Sequence, residues 1–253
     1  MIRRELKDGW ILFAQFDHSK LSGDIMKYWG NKEFSNIRSV DKVMYSITNH
    51  DKGWENWDSN PRVNPENNYP ANFMDMFPSE QHRIWAKCYE DIPQEYSYSS
   101  ALIALHFSKF NNNLLLHMPE NKEVLEFKNK LNKHVSDILK IDKNNLVDNL
   151  PEDVVTDLKF IQLGDIISLT LCSGWKSAEV KDVPVNYNDI EVNLRLESQN
   201  GLNYTLKPYP FSEKKLDLEI SGLRIKGKRF GSDNDLRLSI KNAELQKFKF
   251  SIN

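Results

Sequence analysis

The segment QLGDIISLTLCSG, residues 162–174, marks the point where the chain changes its apolar pattern. Before and through this segment, apolar residues recur at spacings of three and four, which is the pattern of one helix face. Ile161 and Leu169 lie on such a stripe, and Asp165 lies between them on the same stripe. After Gly174 the apolar spacing drops to two, the period of a β-strand. The sequence therefore predicts a helical part that ends near residue 174 and a β-rich part that follows.

Apolar and polar residues alternate through most of the C-terminal third. The alternating segments are Ile190–Leu196, Tyr204–Leu206, Leu216–Ile220, Leu236–Ile240 and Phe248–Ile252. Asn200-Gly201 and the run Gly231–Asp235 are turn signals between them. We expect an antiparallel sheet with one face towards solvent.

The N-terminus shows a second, shorter β pattern. Ile2–Leu6 and Trp10–Ala14 flank Asp8-Gly9, which is a tight hairpin turn sequence. This hairpin is a candidate to join the C-terminal sheet. The fold class predicted is α+β: an all-α helical bundle with an N-terminal β-hairpin over residues 1–175, and an antiparallel β-sheet part over residues 176–253.

Composition limits the classes of partner. The chain of 253 residues has 34 Lys+Arg and 36 Asp+Glu, a formal net charge of -2, which argues against nucleic-acid or anionic-membrane binding. The longest aliphatic run, Ala101–Leu105, is far shorter than the roughly 20 residues that span a bilayer. The start MIRRELKDGW has no apolar signal-peptide stretch, so we expect a cytoplasmic protein. Cys88 and Cys172 share no CxxC motif, which disfavours a disulfide framework or thiolate zinc site.

Six polar side chains carry most of the chemical information. They are His18, His50, Asp51, His82, His106 and Asp165. Four of the six occupy positions on apolar stripes, where burying a lone carboxylate such as that of Asp165 would cost several kcal/mol. Each residue taken alone is explained by a hydrogen-bonded core position. Taken together, they would form a large buried polar network with no charge at its centre.

A pair of metal ions removes this difficulty. Imidazole nitrogens and carboxylate oxygens suit iron, manganese or zinc. The tandem His50-Asp51 at a helix end can give one ligand to each ion, and a carboxylate can bridge them. We therefore expect a dinuclear His4Asp2 centre with two transition-metal ions, with iron as the first choice and manganese or zinc as the alternatives.

The order of these residues, H…HD…H…H…D, resembles the ligand set of the HD-domain superfamily in its dinuclear form. The resemblance covers roughly residues 15–175 and implies an HD-like helical metal-binding domain. It assigns the defining set to His18, His50, Asp51 and Asp165. It assigns the pair that holds a second metal to His82 and His106.

Four longer segments resemble a bacterial family known as domain of unknown function 3891. These segments are QFDHSKLSG at 15–23, HDKGWENWD at 50–58, ALIALHFS at 101–108 and QLGDIISLTLCSG at 162–174. The resemblance covers nearly the whole chain, including the β-rich part. It supports the fold and the site and implies no reaction.

The residues after the tandem depart from the better-known HD enzymes. Many HD phosphohydrolases have a lysine three residues after the aspartate, where this chain has Trp54. Trp54, Trp57 and Asp58 would instead present aromatic faces and a carboxylate near the metals, which suits a neutral or cationic organic substrate. Core packing is the alternative role for the tryptophans. Lys109, one turn after His106, is a candidate to orient a substrate anion, and a solvent-exposed lysine is the alternative.

Three functions compete. The first is a di-iron oxygenase that acts on a small organic substrate, favoured by the absent phosphate-binding lysine. The second is a metal-dependent phosphohydrolase, the commoner activity among HD proteins. The third is a non-catalytic, metal-stabilised binding module. The expected partner is a small molecule, with neither nucleic acid nor membrane, and the β-rich part leaves oligomerisation open.

Overall fold

The computed structural model describes residues 1–142, 146, 149–188 and 190–253. The helices of these residues are α1 (Gln15–Met26), α2 (Val40–Asn49), α3 (Glu55–Asp58), α4 (Pro78–Glu90), α5 (Ser97–His117), α6 (Lys122–Leu139), α7 (Glu152–Ser173) and α8 (Asp233–Lys241). The strands are β1 (Ile2–Glu5), β2 (Gly9–Phe13), β3 (Ser177–Pro184), β4 (Glu191–Ser198), β5 (Asn203–Lys207), β6 (Leu216–Lys226) and β7 (Glu244–Ile252). Within these residues, no helix combines the length and the apolar content needed to cross a lipid bilayer.

The described strands form one seven-stranded sheet in the order β1-β2-β6-β7-β5-β4-β3. The predicted hairpin is present, because β1 and β2 pair antiparallel across the Asp8-Gly9 turn. Strand β2 also pairs with β6, with Ile11 opposite Arg224, so the hairpin extends the C-terminal sheet. The expected antiparallel sheet is in fact mixed, since β5 and β7 run parallel.

The prediction of an HD-like all-α helical bundle with a separate β part is wrong. The protein is a mixed α/β structure in which helices pack on a shared sheet: α1 packs on β6, and α7 packs on β1 and β3. All five residues of β2 are buried, so this strand lies in the interior and not on the outside of a bundle. Helical periodicity predicts which face of a helix is buried, but it carries no information about what that face packs against. The two predicted segments, 1–175 and 176–253, both contribute strands to the sheet.

One predicted strand is a helix. The segment Leu236–Ile240 lies in α8, where Ser232 caps the helix by accepting a hydrogen bond from the Asp235 amide at 3.1 Å. Leu236 is fully buried, whereas Leu238 is 50% exposed. The first and last apolar residues of this segment are four apart, which suits a helix face as well as a strand. The N-cap residue Ser232, four residues before Leu236, is the sequence signal that favours the helix over the strand.

A close crossing of helices positions the centre. A Cβ atom added at Gly164 of α7 would lie 3.0 Å from Met26 Cγ, 3.2 Å from Ile47 Cγ2 and 3.3 Å from Ser22 Cβ. The glycine therefore lets α7 approach α1 and the end of α2 more closely than a side chain would allow. The next residue, Asp165, is consequently held against both helices.

Candidate metal centre

Five of the six predicted ligands come together in the interior. His18 lies in α1, His50 caps the C-terminus of α2 and is followed by Asp51, His106 lies in α5, and Asp165 lies in α7. Two groups have donor atoms that all lie within 4.8 Å of one another: His18 with His50 and Asp51, and His50 with His106 and Asp165. All five side chains are buried.

Four of these residues present donors around one point. His18 Nε2 lies 3.1 Å from Asp51 Oδ2 and 3.5 Å from Asp165 Oδ1. His50 Nε2 lies 3.9 Å from the same Asp51 oxygen and 3.6 Å from the same Asp165 oxygen. Donors bound to one ion at about 2.0–2.2 Å are about 3–3.5 Å apart. The four atoms are therefore close to the spacing that a single transition-metal ion requires.

The carboxylate of Asp165 faces two directions. Its Oδ1 faces His18 and His50, whereas its Oδ2 lies 3.5 Å from His106 Nε2. A carboxylate whose oxygens face different histidines has the arrangement of a bridging ligand. His106 and Asp165 Oδ2 thus form a second, less complete set of donors beside the first.

Hydrogen bonds fix the histidine rings with a nitrogen free for a ligand. His50 donates from Nδ1 to the carbonyl of Ile47 at 2.8 Å, which leaves Nε2 to hold either a proton or a metal ion, and this atom has no hydrogen-bond partner among the described residues. Ser168 donates to the carbonyl of Asp165 at 3.0 Å and lies 2.7 Å from His18 Nδ1. When His18 donates from Nδ1 to Ser168, its Nε2 atom faces Asp51 Oδ2 at 3.1 Å. Either a proton or a metal ion must lie between these two atoms, and the spacing of the surrounding donors fits a metal ion.

The electrostatics of the cluster favour positive charge. Burial opposes the charged form of His50, yet the carboxylates of Asp51 and Asp165 raise its pKa to about 9. Burial likewise opposes ionisation of Asp165, but the nearby rings of His50, His106 and His18 lower its pKa to about 2. Burial lowers the pKa of His106 to about 4, so this imidazole is neutral and can act as a ligand.

The structure does not bring His82 into the cluster. Its ring stacks on Phe127 of α6, with centroids 4.2 Å apart, and its Nε2 has no hydrogen-bond partner among the described residues. The neighbouring residue Gln81 and Trp85, four residues further on, line the space beside the metal centre instead. The face of α4 that points to the centre therefore carries Gln81 and Trp85, whereas His82 lies on the neighbouring face towards α6.

The structure places the four other predicted site residues in different environments. Trp54 is buried and lines the space beside the centre. Trp57 does not line this space but packs edge-on against Trp54, with ring centroids 5.5 Å apart. Asp58 accepts hydrogen bonds from the α-ammonium group of Met1 and from the Gln15 amide, so its carboxylate is used in packing the N-terminal segment. Lys109 lies on a different side of the centre.

An apolar cavity of about 320 Å³ opens onto the donors of His18, Asp51, His106 and Asp165. We call it the apolar chamber, after the side chains that line most of it: Trp54, Phe73, Met74, Trp85, Phe107, Phe110, Leu114 and Leu169. The amides of Gln15 and Gln81 also line it, and no lysine or arginine of the described residues does. Such a space suits the uncharged part of a small organic molecule.

A second cavity of about 280 Å³ reaches His106 and Asp165 between α5, α7 and β3. We call it the lysine chamber, because Lys109, Lys159 and Lys181 line it. Its remaining polar lining includes Gln162 and the carboxylates of Glu179 and Asp182. The centre is thus approached from two cavities of different chemistry.

Sequence reasoning missed several of these residues. Ser168 orients His18, and it is a polar residue within the apolar run IISLTL, one turn after Asp165. Gln81 and Trp85 are spaced by four and therefore share a helix face. These signals were present, but only the packing of α4 distinguishes the face of Gln81 from that of His82.

A pair of substitutions separates the roles of the two remaining histidines. We expect His106→Gln to reduce the number of bound metal ions per chain, because it removes a donor that faces Asp165. We expect His82→Gln to leave the metal content unchanged, because this ring stacks on Phe127. Elemental analysis of both variants after identical metal loading is the measurement. Equal metal loss in both variants would place His82 in the centre and contradict the expectation.

The buried arrangement of three histidines and two aspartates beside an apolar cavity defines the class: a protein with a candidate metal-binding centre. The chain belongs to the family described as protein of unknown function (DUF3891), whose model matches residues 1–226. This match confirms the predicted membership of this family over residues 1–226, and it does not test the resemblance to HD domains. No curated protein and no solved structure matches the chain significantly.

Proposed function

We propose that this protein is a metal-dependent enzyme with an HD-like ligand set that acts on a small organic substrate, and that its reaction belongs to the oxygenase class. The observation that carries the proposal is the apolar chamber, which opens directly onto buried histidine and aspartate donors. An apolar cavity that ends in a set of metal donors is the expected form of a site that processes an organic molecule.

His18, His50, Asp51 and Asp165 would hold one ion, and His106 with the second oxygen of Asp165 would hold another. Nitrogen and oxygen donors without thiolate suit iron, manganese or zinc, and we favour iron. Bound there, such ions would supply redox or Lewis-acid chemistry. The second set offers fewer protein donors among the described residues, so its ion should bind more weakly and leave positions open to a substrate or to water.

The side chains of the apolar chamber would hold the hydrocarbon part of the substrate and exclude bulk water. The buried indole N–H of Trp54 and the Oε1 atom of Gln15 have no hydrogen-bond partner among the described residues. Both residues line the chamber, and no lysine or arginine of the described residues lines it. This combination favours a neutral organic group over a phosphoester on this side of the centre.

The alternative is a metal-dependent phosphohydrolase. Lys109 and Lys159 in the lysine chamber favour it, because cations beside a metal centre can stabilise a phosphoryl group. A non-catalytic binding module with the same metal donors is the third candidate.

The experiment combines metal content with two activity screens. The protein is purified with and without oxygen from cells supplied with iron, manganese or zinc. We expect more than about half an ion per chain, and oxygen uptake with some members of a library of small alcohols, amines and acids. Hydrolysis of p-nitrophenyl phosphate or its diester would favour the hydrolase. Bound metal without turnover of either kind would favour the binding module, and absence of metal would contradict all three.

A further inference from the structure

We propose that the lysine chamber binds an anionic group, a carboxylate or a phosphate, through Lys109 and Lys159. As the acid group of a substrate, this anion rests on the proposed function, but its binding can be measured independently of any reaction. Residues of helices α5 and α7 and of strand β3 line the chamber, and His106 and Asp165 of the metal centre are among them.

The two lysines lie at distances from the metal centre that a small organic molecule can span. Lys109 follows His106 by one turn of α5, and Lys159 precedes Asp165 by nearly two turns of α7. With a rise of 1.5 Å per residue, these positions are displaced by about 5 Å and about 9 Å along their helices. An anion between the lysines would place the neighbouring carbon atoms of a small organic acid beside His106 and Asp165.

The charges of the two lysines are weakly compensated. Lys109 Nζ donates to the neutral Oε1 atom of Gln162 at 3.0 Å, and among the described residues it has no ion pair with a carboxylate. Lys159 Nζ is 3.9 Å from Asp182 Oδ2, at the limit of an ion pair. Burial and the charge of Lys159 lower the pKa of Lys109, which agrees with two cations held near each other. A bound anion would relieve their repulsion.

Strand β3 is irregular where it lines the chamber. The pairing of β3 with β4 shifts register between Val180 and Val183, and Asp182 in this bulge has a positive φ of 54°. The Asp182 amide donates to Asn193 Oδ1 at 3.2 Å, which holds the bulge. Bulges redirect side chains and occur beside active sites. This one places Asp182 at the rim, where its carboxylate competes with an incoming anion for Lys159.

Calorimetric titrations of the full chain, metal-free and metal-loaded, with inorganic phosphate and with hexanoate, test the proposal. We expect Lys109→Gln and Lys159→Gln each to weaken anion binding by about 10-fold or more, and Lys109→Arg to retain it. Asp182→Asn should tighten binding by about 2- to 5-fold, because asparagine tolerates positive φ and removes the competing charge. Lys133→Gln, an exposed lysine of α6, is the matched control and should have no effect.

The two probes identify the source of the anion: stronger binding of phosphate indicates a phosphorylated ligand, and stronger binding of hexanoate an organic acid. The proposal is overturned if neither probe binds either form of the protein. It is also overturned if binding is equal in the wild type and in both glutamine variants. Lysine-dependent anion binding by a protein that takes up no metal would support this site and refute the proposed function. Metal uptake without anion binding would overturn this anion site and leave the proposed metal centre intact.

Discussion

Asp165→Asn is expected to weaken metal binding by at least about 100-fold, the largest effect of any single substitution in this protein. Among the residues that the structure describes, Asp165 is the one carboxylate with three histidines within 4 Å, His18 and His50 near Oδ1 and His106 near Oδ2. Asparagine keeps the shape of the side chain but loses the negative charge and one of the two oxygen donors. Loss of an outer residue that supports a metal ligand already costs 10- to 100-fold in affinity, so loss of a central ligand should cost at least as much.

Titration against a chelating dye measures the affinity, and thermal unfolding measures the consequence for stability. At a metal concentration 100 times the wild-type Kd, the bound ion stabilises the wild type by about 2.7 kcal/mol, and a 100-fold weaker variant gains only about 0.4 kcal/mol. The matched control is Asp157→Asn, two turns earlier in α7. The Asp157 carboxylate accepts hydrogen bonds from Tyr98 and Tyr187, so this change should lower the melting temperature and leave metal affinity unchanged. An Asp165→Asn protein that binds metal like the wild type would exclude Asp165 as a ligand.

The positions of five candidate ligands could be predicted from the sequence because burial of polar groups is costly. His18 and Asp165 stand on apolar stripes where an unpaired polar group would be strongly destabilising, so their partners had to be polar or charged. Helical periodicity is local, and it correctly placed His106 on an inward face of α5. The order of the candidate ligands along the chain then links four helices, α1, α2, α5 and α7, to one centre.

The remaining features depend on contacts that no local pattern contains. Strand β2 pairs with β6, more than 200 residues later, so the sequence pattern could not show that the helices pack on a shared sheet. The sequence predicts that Trp57 faces the metals together with Trp54, which a helix continuing after Asp51 would allow. The chain instead forms a short 3₁₀ turn over Lys52–Trp54 before α3, which changes the direction of the later side chain. The partner of Asp58 is the Met1 ammonium group, a contact across 57 positions in sequence.

Ser168→Ala is expected to weaken metal binding by about 10- to 100-fold although Ser168 is not itself a metal ligand. Its hydroxyl lies 2.7 Å from His18 Nδ1 and donates to the Asp165 carbonyl at 3.0 Å, so it holds the ring with Nε2 towards Asp51. Alanine would leave Nδ1–H of a fully buried ring without a partner, which favours rotation of the ring or a change of tautomer. Ser22, whose hydroxyl lies 2.7 Å from that of Ser168, donates to the backbone carbonyl of His18 at 3.1 Å and is therefore already engaged at the backbone, not at the ring.

A readout of the ring itself separates this effect from a general loss of stability. Nitrogen NMR of the protein loaded with zinc, which is diamagnetic, should show a proton on His18 Nδ1 in the wild type and a weakened or lost Nδ1–H signal in Ser168→Ala. Thr170→Ala is the control, since this buried hydroxyl also lies in α7 but donates only to the carbonyl of Ile166 at 2.7 Å. The control should keep both the tautomer and the metal affinity of the wild type. If Ser168→Ala binds metal within about 2-fold of the wild type, the ring of His18 is oriented by the packing of α1 alone, and the hydrogen bond from its Nδ1 atom does not prepare the metal site.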